Sequence, residues 1–261
     1  MKAIDLHEHM RKLGTWVNWE QTTDHCHLGN METQVKAVAV VWQSRINELK
    51  KAVEMGCNLV VTHEQSFYPE PQVARKNEIQ QYEEEKRKFA QDTGIVVYRC
   101  HDVWDRVPEI GIVHGWGAYL GFGKRLAGDP NATEAVYASP KPTLRELAEY
   151  VLGKTKPLGQ DSVEMLGDPN APVTKVAVGC GAGTHLPSMS ALGADVMIAT
   201  NDGLRYWESG SWALDRGTPV VVVDHCVAEE PGLMNLAKYI GEQFGVKSVF
   251  MQQGPMYKTV G

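Results

Sequence analysis

Four consecutive valines, Val220–Val223, constrain the fold of this chain more than any other stretch. Gly217 and Pro219 precede them, and a β-branched run bounded in this way is typical of a fully buried strand. The strand leads to His225, and Glu229 follows four residues later. In open α/β sheets, ligands bind at the carboxyl ends of the strands. We therefore interpret His225 and Glu229 as a metal-ligand pair or an acid–base pair.

The same pattern occurs earlier in the chain. After Gly94, a β-branched run leads to His101, and Asp105 follows four residues later. Two upstream segments also have counterparts in the same order, namely residues 36–40 with 175–178 and residues 55–64 with 192–202. Three matches in one order indicate an internal pseudo-duplication. We predict two related halves, residues 1–125 and residues 126–261, the second beginning with a connector.

Apolar runs alternate with amphipathic segments along both halves, and this alternation predicts an α/β fold. The predicted strands are residues 38–42, 58–62, 95–99, 173–179, 195–200, 220–223 and 246–251. The predicted helices include residues 44–54, 76–92, 143–152, 206–214 and 231–244. Because helices connect successive strands, we expect mostly parallel sheets flanked by helices. Residues 108–133 are glycine-rich, and we interpret them as mainly loop.

Ionisable side chains gather at the ends of the predicted strands. They are His63, Glu64, His101, Asp105, His225 and Glu229, with Asp202 in reserve. Related halves would bring these side chains to one cleft, where crowded carboxylates repel one another unless a cation neutralises them. The set exceeds the needs of one ion and suits two divalent ions about 3.5–4 Å apart. Mixed nitrogen and oxygen donors fit zinc, manganese or iron.

The remaining histidines are weaker candidates. His25 and His27 would point the same way from an extended segment, as paired ligands do, but a surface loop is the favoured interpretation. His7 and His9 lie two residues apart in a predicted helix, where they would not share a face.

Composition narrows the class of protein. A net charge of −6 disfavours a nucleic-acid-binding surface. The polar N-terminus does not resemble a signal peptide, and no apolar run approaches the roughly 20 residues of a membrane span. Five cysteines without a Cys-x-x-Cys pair fit a reducing compartment better than a disulfide framework. We expect a cytoplasmic protein that acts on a small molecule rather than on nucleic acid or membranes.

Several of these motifs together resemble the Ngg-interacting-factor-three family, whose bacterial members are often labelled GTP cyclohydrolase I type 2 homologues. The resemblance covers residues 30–255, and its motifs are Leu59-Val-Val-Thr-His-Glu64, His101-x-x-x-Asp105, Val176-Ala-Val-Gly-Cys-Gly, Leu192-Gly-Ala-Asp-Val and His225-x-x-x-Glu229-x-Pro-Gly-Leu233. It implies two α/β domains facing each other across a di-metal site, in a homo-oligomer that is commonly a hexamer. It also implies that His63, Asp105, His225 and Glu229 are metal ligands.

The chain departs from the family pattern at three places. Glu64 stands where the family usually has a second histidine, which replaces a neutral nitrogen donor with an anionic oxygen. No histidine lies near Trp207, where the family often has one, and the N-terminal acidic-aromatic stretch is altered around His25 and His27. These changes affect the expected substrate more than the expected metal binding.

Two classes of function remain open at this point. The first is a metal-dependent hydrolase, with His63, Glu64, Asp105, His225 and Glu229 as metal ligands. In that hypothesis His101 transfers protons, and the family label suggests GTP, a nucleotide, as the substrate. The second is a non-catalytic metal-binding protein with a regulatory or interaction role. A two-metal phosphoesterase is the alternative enzyme class.

Overall fold

The computed structural model describes residues 1–67, 76–179 and 181–260, with residues 76–80 as backbone only. Cys180 therefore lies outside the described residues. The chain divides into two compact units. Unit 1 consists of Met1–Trp104 and Leu233–Met251, and unit 2 consists of Asp105–Gly232 and Gln252–Gly261. The predicted boundary lay between residues 125 and 126. In the structure, the first segment of unit 1 ends at Trp104, and residues 233–251 return to unit 1.

Unit 1 contains a five-stranded sheet. Its elements are α1 (Ala3–Leu13), β1 (Cys26–Leu28), β2 (Ala37–Gln43), α2 (Ile46–Glu54), β3 (Leu59–Glu64), α3 (Lys76–Thr93), β4 (Val96–Arg99) and the single turn α4 (Asp102–Asp105), whose last residue belongs to unit 2, together with β10 (Lys247–Phe250). The strand order is β1-β4-β3-β2-β10. Strand β1 pairs with β4 in the antiparallel sense, and the other neighbours are parallel.

Unit 2 contains a second five-stranded sheet. Its elements are α5 (Ile112–Tyr119), β5 (Glu134–Ala138), α6 (Leu144–Thr155), β6 (Glu164–Leu166), β7 (Lys175–Gly179), α7 (Leu186–Ala191), β8 (Val196–Thr200), α8 (Ser211–Arg216), β9 (Val220–Val223) and the first part of α9 (His225–Phe244). The strand order is β5-β7-β8-β9-β6, with the two edge strands antiparallel to their neighbours. Strands β7, β8 and β9 are parallel.

Helices pack on both sheets. In unit 1, Leu49 and Ala52 of α2 join the core of the sheet, and in unit 2 Leu186 and Met189 of α7 do the same. The residues of Val220–Val223 are all buried, which explains why this strand has no polar alternation. The chain thus has a mixed α/β fold with two sheets flanked by helices.

All seven predicted strands are confirmed, but three features were not predicted correctly. Residues 134–138 form β5, although no strand was predicted there. Helix α9 begins at His225, six residues before the predicted start, with Pro231 inside it. Strand β10 pairs with β2 in unit 1, although it was predicted to belong to the second half.

The two sheets share an arrangement of strands. In each, three parallel strands lie in the order third, second, first, and a short antiparallel strand flanks the third. A pseudo-duplication remains a prediction that this arrangement favours. Among the described helices, none is both long enough and apolar enough to cross a membrane.

Candidate functional site

Three predicted site residues form a cluster in unit 1. His63 and Glu64 end β3, and His101 follows β4, the neighbouring parallel strand. Because parallel strands end at the same edge of a sheet, these side chains meet there. One potential ligand atom from each residue lies within 4.8 Å of the others. We call His63, Glu64 and His101 the first ligand group.

His63 is fully buried and held in one orientation. Its Nδ1 lies 3.1 Å from the carbonyl oxygen of Cys100. A carbonyl only accepts, so the ring hydrogen resides on Nδ1, and Nε2 carries the lone pair. The ring stacks on that of His101 with the centroids 4.5 Å apart and an angle of 21° between the planes.

His101 is fixed in a similar way by a carboxylate. Its Nδ1 lies 2.9 Å from Oδ1 of Asp102. The hydrogen bond from His101, together with one from Thr22, holds the pKa of Asp102 well below its usual range. Asp102 is therefore ionised and accepts the Nδ1 hydrogen, which leaves Nε2 of His101 as the nitrogen with the lone pair.

Asp24 holds the backbone from which His101 projects. Its carboxylate accepts hydrogen bonds from the backbone nitrogens of His101, Asp102 and Val103 at 2.7–2.9 Å. Burial raises the pKa of Asp24, and the three backbone hydrogen bonds act against that rise. Asp24 was not predicted from the sequence as a site residue, although an aspartate is a common cap for the first turn of a helix.

Glu64 lies between a cation and an imidazole. Oε2 of Glu64 is 3.4 Å from Nη2 of Arg99, and Oε1 is 3.7 Å from Nε2 of His101. Arg99 also donates from Nε to the carbonyl oxygen of His63 at 2.9 Å. The guanidinium therefore offsets the negative charge that Glu64 brings in place of a second histidine.

A second cluster lies in unit 2 and contains Asp105, His225 and Glu229, which we call the second ligand group. Carboxylate oxygens of Asp105 and Glu229 lie within 4.8 Å of each other. Nε2 of His225 lies 2.9 Å from Oε1 of Glu229, with side-chain exposures of only 11% and 2%. Two carboxylates and one imidazole thus share a largely buried space.

The first turn of α9 positions two of these side chains. Asp224 accepts a hydrogen bond from the backbone of Cys226 with its side chain and one from Ala228 with its carbonyl oxygen. It thereby starts the helix at His225. Four residues make about one turn, so His225 and Glu229 share a face. The sequence indicated their spacing correctly, but it placed them in a loop rather than in a helix.

Asp202 acts on His225 from the other side of the ring. Its Oδ2 lies 2.8 Å from Nδ1 of His225. Burial alone lowers the pKa of His225, but the carboxylates of Glu229 and Asp202 outweigh burial and raise it to about 11. Burial likewise opposes the ionisation of Asp202, whose pKa is nevertheless lowered by hydrogen bonds from His225 and Thr200. Asp202, predicted as a reserve ligand, orients His225.

Gly181 leaves the space that the second ligand group needs. Its φ is +37°, and a Cβ atom added to it would collide with Nε2 of His225 and lie 2.6 Å from Oε1 of Glu229. Only glycine leaves this position open. One turn of 3₁₀ helix, Gly181–Gly183, therefore faces the ligand atoms.

The donors of both groups fit a divalent metal. Each of the three histidines presents Nδ1 to an acceptor, as metal-ligating histidines usually do, so that Nε2 is the nitrogen directed at the other ligands. In the second group, the Nε2 proton of His225 lies where nitrogen and carboxylate oxygen converge, a position that a cation can take. The structure therefore contains clusters of side chains that could bind a metal ion.

The other histidines belong to neither ligand group. Nδ1 of His27 lies 2.6 Å from the hydroxyl oxygen of Ser66, and burial lowers its pKa to about 3. His7 and His9 contact the hydroxyl groups of Tyr98 and Tyr239. Each of these three histidines is thus held by a hydroxyl group.

The fold and these clusters define an α/β protein with side-chain groups suited to metal binding. The profile of the Duf34/NIF3 (NGG1p interacting factor 3) family matches residues 1–255, and the chain belongs to this family. The family resemblance read from the sequence is thereby confirmed.

Individual relatives are distant. The chain is 23% identical over 239 residues to a protein of Clostridium perfringens called GTP cyclohydrolase 1 type 2 homolog, covering 87% of each chain. A Bacillus cereus protein related to NIF3 has the same fold, with a TM-score of 0.81 at 12% identity, covering 100% of this chain and 99% of that chain. A hypothetical protein of Staphylococcus aureus also matches, with a TM-score of 0.81 at 14% identity and the same coverage.

Proposed function

We propose that this protein binds two divalent metal ions through its two ligand groups and uses them to hydrolyse a small molecule. The observation that supports the proposal most is the common arrangement of the histidines. His63, His101 and His225 each engage an acceptor through Nδ1 and direct Nε2 toward other potential ligands. Packing alone does not require three histidines to share this arrangement, whereas metal binding does.

The ligands proposed are His63 and Glu64 from the first group and Asp105, His225 and Glu229 from the second. The family resemblance implies that both groups contribute to one di-metal centre. Charge supports binding, since the second group places two carboxylates beside a single imidazole in a buried space. Nitrogen and oxygen donors without thiolates favour zinc, manganese or iron.

Such ions supply Lewis-acid chemistry, which polarises a bound substrate and lowers the pKa of coordinated water. His101 is the proposed proton-transfer residue. Nδ1 of His101 lies 2.9 Å from Oδ1 of Asp102 and donates its hydrogen to that oxygen. Nε2 is therefore the atom that exchanges a proton with the substrate. The paired carboxylate also stabilises the imidazolium that forms when His101 accepts a proton.

The name of the Clostridium perfringens relative suggests GTP as the first substrate to test. The reaction would add two waters in turn to one carbon of the purine ring, break the bonds from that carbon to its two nitrogens and release formate. The measurement is formate released from GTP by protein loaded with zinc, manganese or ferrous iron. We expect turnover with at least one metal and none after treatment with a chelator.

Two variants separate the roles of the residues. In His101→Gln, turnover should fall about 100-fold or more while the metal content stays at the wild-type level, as expected for a proton-transfer residue. Loss of metal in this variant would make His101 a ligand instead. His25→Gln is the matched control, because His25 is exposed and belongs to neither ligand group.

Other outcomes lead to the alternative functions. Metal binding with release of p-nitrophenol from a phosphate ester, but no reaction of GTP, would identify a two-metal phosphoesterase. Metal binding without turnover of either compound would contradict the hydrolase and favour a regulatory or interaction role.

We also propose that the protein forms a homo-oligomer, and the family resemblance implies a hexamer. Light scattering after gel filtration would measure the size of the oligomer.

A further inference from the structure

Unit 2 has a cavity that shares no residue with either ligand group. It lies beside α5, the loop that follows α5 and β5, and its volume is about 350 Å³. Its lining includes Glu109, His114, Phe122, Lys124, Arg125 and Tyr137. Cavities of this size accommodate small molecules.

Two cations line the cavity without carboxylate partners. Arg125 is half-buried, and its Nη1 lies 3.1 Å from Nε2 of His114 and 3.3 Å from the carbonyl oxygen of Asp129. Lys124 is exposed at the mouth. Within the part of the chain that the structure describes, neither Lys124 nor Arg125 forms an ion pair. Lys124 and Arg125 therefore bring positive charge to the cavity without being held in an ion pair.

Nε2 of His114 lies between a hydrogen-bond acceptor and a hydrogen-bond donor, and it cannot bond to both at once. This atom lies 3.0 Å from the carbonyl oxygen of Pro130 and 3.1 Å from Nη1 of Arg125. A hydrogen on Nε2 donates to the carbonyl, and the guanidinium hydrogen then needs another acceptor. An anion in the cavity would provide it.

Tyr137 brings a second donor to the same place. The residue is only 4% exposed, and its hydroxyl has no hydrogen-bond partner among the described residues. Burial raises the pKa of Tyr137, so the hydroxyl stays protonated and able to donate at neutral pH. Because Tyr137 lines the cavity, its hydroxyl hydrogen is available to an oxyanion that binds there.

Glu109 is the opposing charge in the lining. It is exposed and has a φ of +67°, the only described residue other than glycine with a positive φ. L-residues rarely adopt this backbone conformation, and such residues are concentrated at functional sites. Its carboxylate lowers the net positive charge of the lining. As a like charge, it weakens the binding of an anion in the cavity.

We propose that this cavity binds the phosphate group of a small metabolite. Lys124 and Arg125 match the double negative charge of a phosphate, and Arg125 and Tyr137 supply directed hydrogen bonds. Phe122 offers an apolar wall to the remainder of the molecule. A phosphate group presents three oxygens to Lys124, Arg125 and Tyr137, whereas a carboxylate presents two, so phosphate is the better match.

The test is calorimetric titration of the metal-loaded protein with inorganic phosphate, with acetate as the comparison anion. We expect millimolar binding of phosphate and weaker binding of acetate. Arg125→Gln should weaken phosphate binding about tenfold or more, and Tyr137→Phe should weaken it about three- to tenfold. Arg145→Gln, which alters an exposed arginine outside the cavity, should bind phosphate as the wild type does.

Glu109→Gln provides a change in the opposite direction. Removal of the carboxylate should tighten phosphate binding about two- to fivefold, since a like charge near the anion is lost. The proposal is overturned if phosphate fails to bind at 50 mM or binds Arg125→Gln and wild type equally. It is also overturned if Glu229→Gln abolishes binding while Arg125→Gln does not, because phosphate would then bind at the metal ligands.

Discussion

The two ligand groups solve the same problem with different chemistry. The first group offers two imidazoles and one carboxylate, and Arg99 lies 3.4 Å from that carboxylate. The second group offers one imidazole and two carboxylates, and Nε2 of His225 lies 2.9 Å from Oε1 of Glu229. A neutral donor set with a compensated carboxylate tolerates the absence of an ion. A carboxylate-rich, buried set needs either a proton or a metal.

The second group therefore depends more on its cation than the first group does. The pKa of His225, at about 11, shows that the second group retains a proton far above neutral pH when no metal is bound. A divalent ion that displaces this proton gains two carboxylates at once. We therefore expect the metal affinity of the second group to depend more steeply on pH than that of the first, and to fall as the pH decreases below about 11.

The largest expected effect distinguishes the carboxylates of the two groups. Glu229→Gln leaves the buried His225 with one counter-charge fewer, and removal of one member of a buried ion pair costs about 3–5 kcal/mol. Glu64→Gln keeps an oxygen that can accept from Arg99, in a pair whose side chains are 11% and 19% exposed, and should cost less, about 1–2 kcal/mol. Urea unfolding of both variants in chelator measures the comparison. Equal losses would show that the two groups do not differ as described.

Gly181→Ala should have the next largest effect. The added methyl group meets His225 and Glu229, and the backbone has a positive φ, so we expect a loss of about 2–4 kcal/mol from overpacking and backbone strain. The metal content should fall as well. Gly183→Ala is the control, since a Cβ atom there meets nothing within 4 Å. Identical unfolding of the two variants would remove Gly181 from the site.

The residues that orient the histidines provide a smaller effect. Asp202→Asn and Asp102→Asn each remove the carboxylate that fixes an Nδ1 hydrogen, at His225 and His101 respectively. Loss of such a partner lowers metal affinity about 10–100-fold. Because His101 is proposed to transfer protons rather than to bind metal, only Asp202→Asn should lower the affinity, as measured by competition with a chromogenic chelator. Asp215→Asn, at an exposed position, is the control.

The smallest expected effect concerns Lys86, a buried cation outside both ligand groups. Lys86 is 4% exposed and donates to the carbonyl oxygen of Ser66, and burial lowers its pKa to about 8. The unfolded chain binds this proton more tightly than the folded chain does. Between about pH 8 and the ordinary value of 10.5, stability should therefore rise with pH relative to Lys86→Met.

The control for this prediction is Lys88→Met, which changes an exposed lysine of the same helix. Its pH dependence of unfolding should parallel that of the wild type. His225 should behave in the opposite way, because a raised pKa gives stability that is present below about 6.5 and is lost as pH rises through about 11. Parallel pH curves for wild type and Lys86→Met would contradict the shift at Lys86.

The sequence predicted the parallel strands because their apolar runs reflect burial on both faces. Val220–Val223 is the clearest case. His63 lies near the end of one such strand and His225 follows another, so the apolar runs also predicted where these two side chains lie. Strand β10 was predicted as a strand but assigned to the wrong sheet, since periodicity carries no information on which strand is the neighbour. Strand β5 was missed because a five-residue run beside a glycine-rich loop gives a weak signal.

The chemistry was predicted less completely than the positions. The i,i+4 spacing of His225 and Glu229 was recognised, but Pro231 was interpreted as a helix start, a position that proline favours. Asp224 was the better signal for the start, since it caps the helix. The orienting contacts of Asp102 and Asp202 depend on three-dimensional proximity, which spacing along the chain does not reveal.

The most direct test of the account is the metal content per chain, measured by elemental mass spectrometry after incubation with zinc, manganese or ferrous iron. The comparison is between wild type and a variant that carries His63→Gln and His225→Gln, one change in each ligand group. The account predicts about two ions per wild-type chain and no stoichiometric metal in the variant. Wild-type protein without bound metal, or a variant that retains both ions, would contradict it.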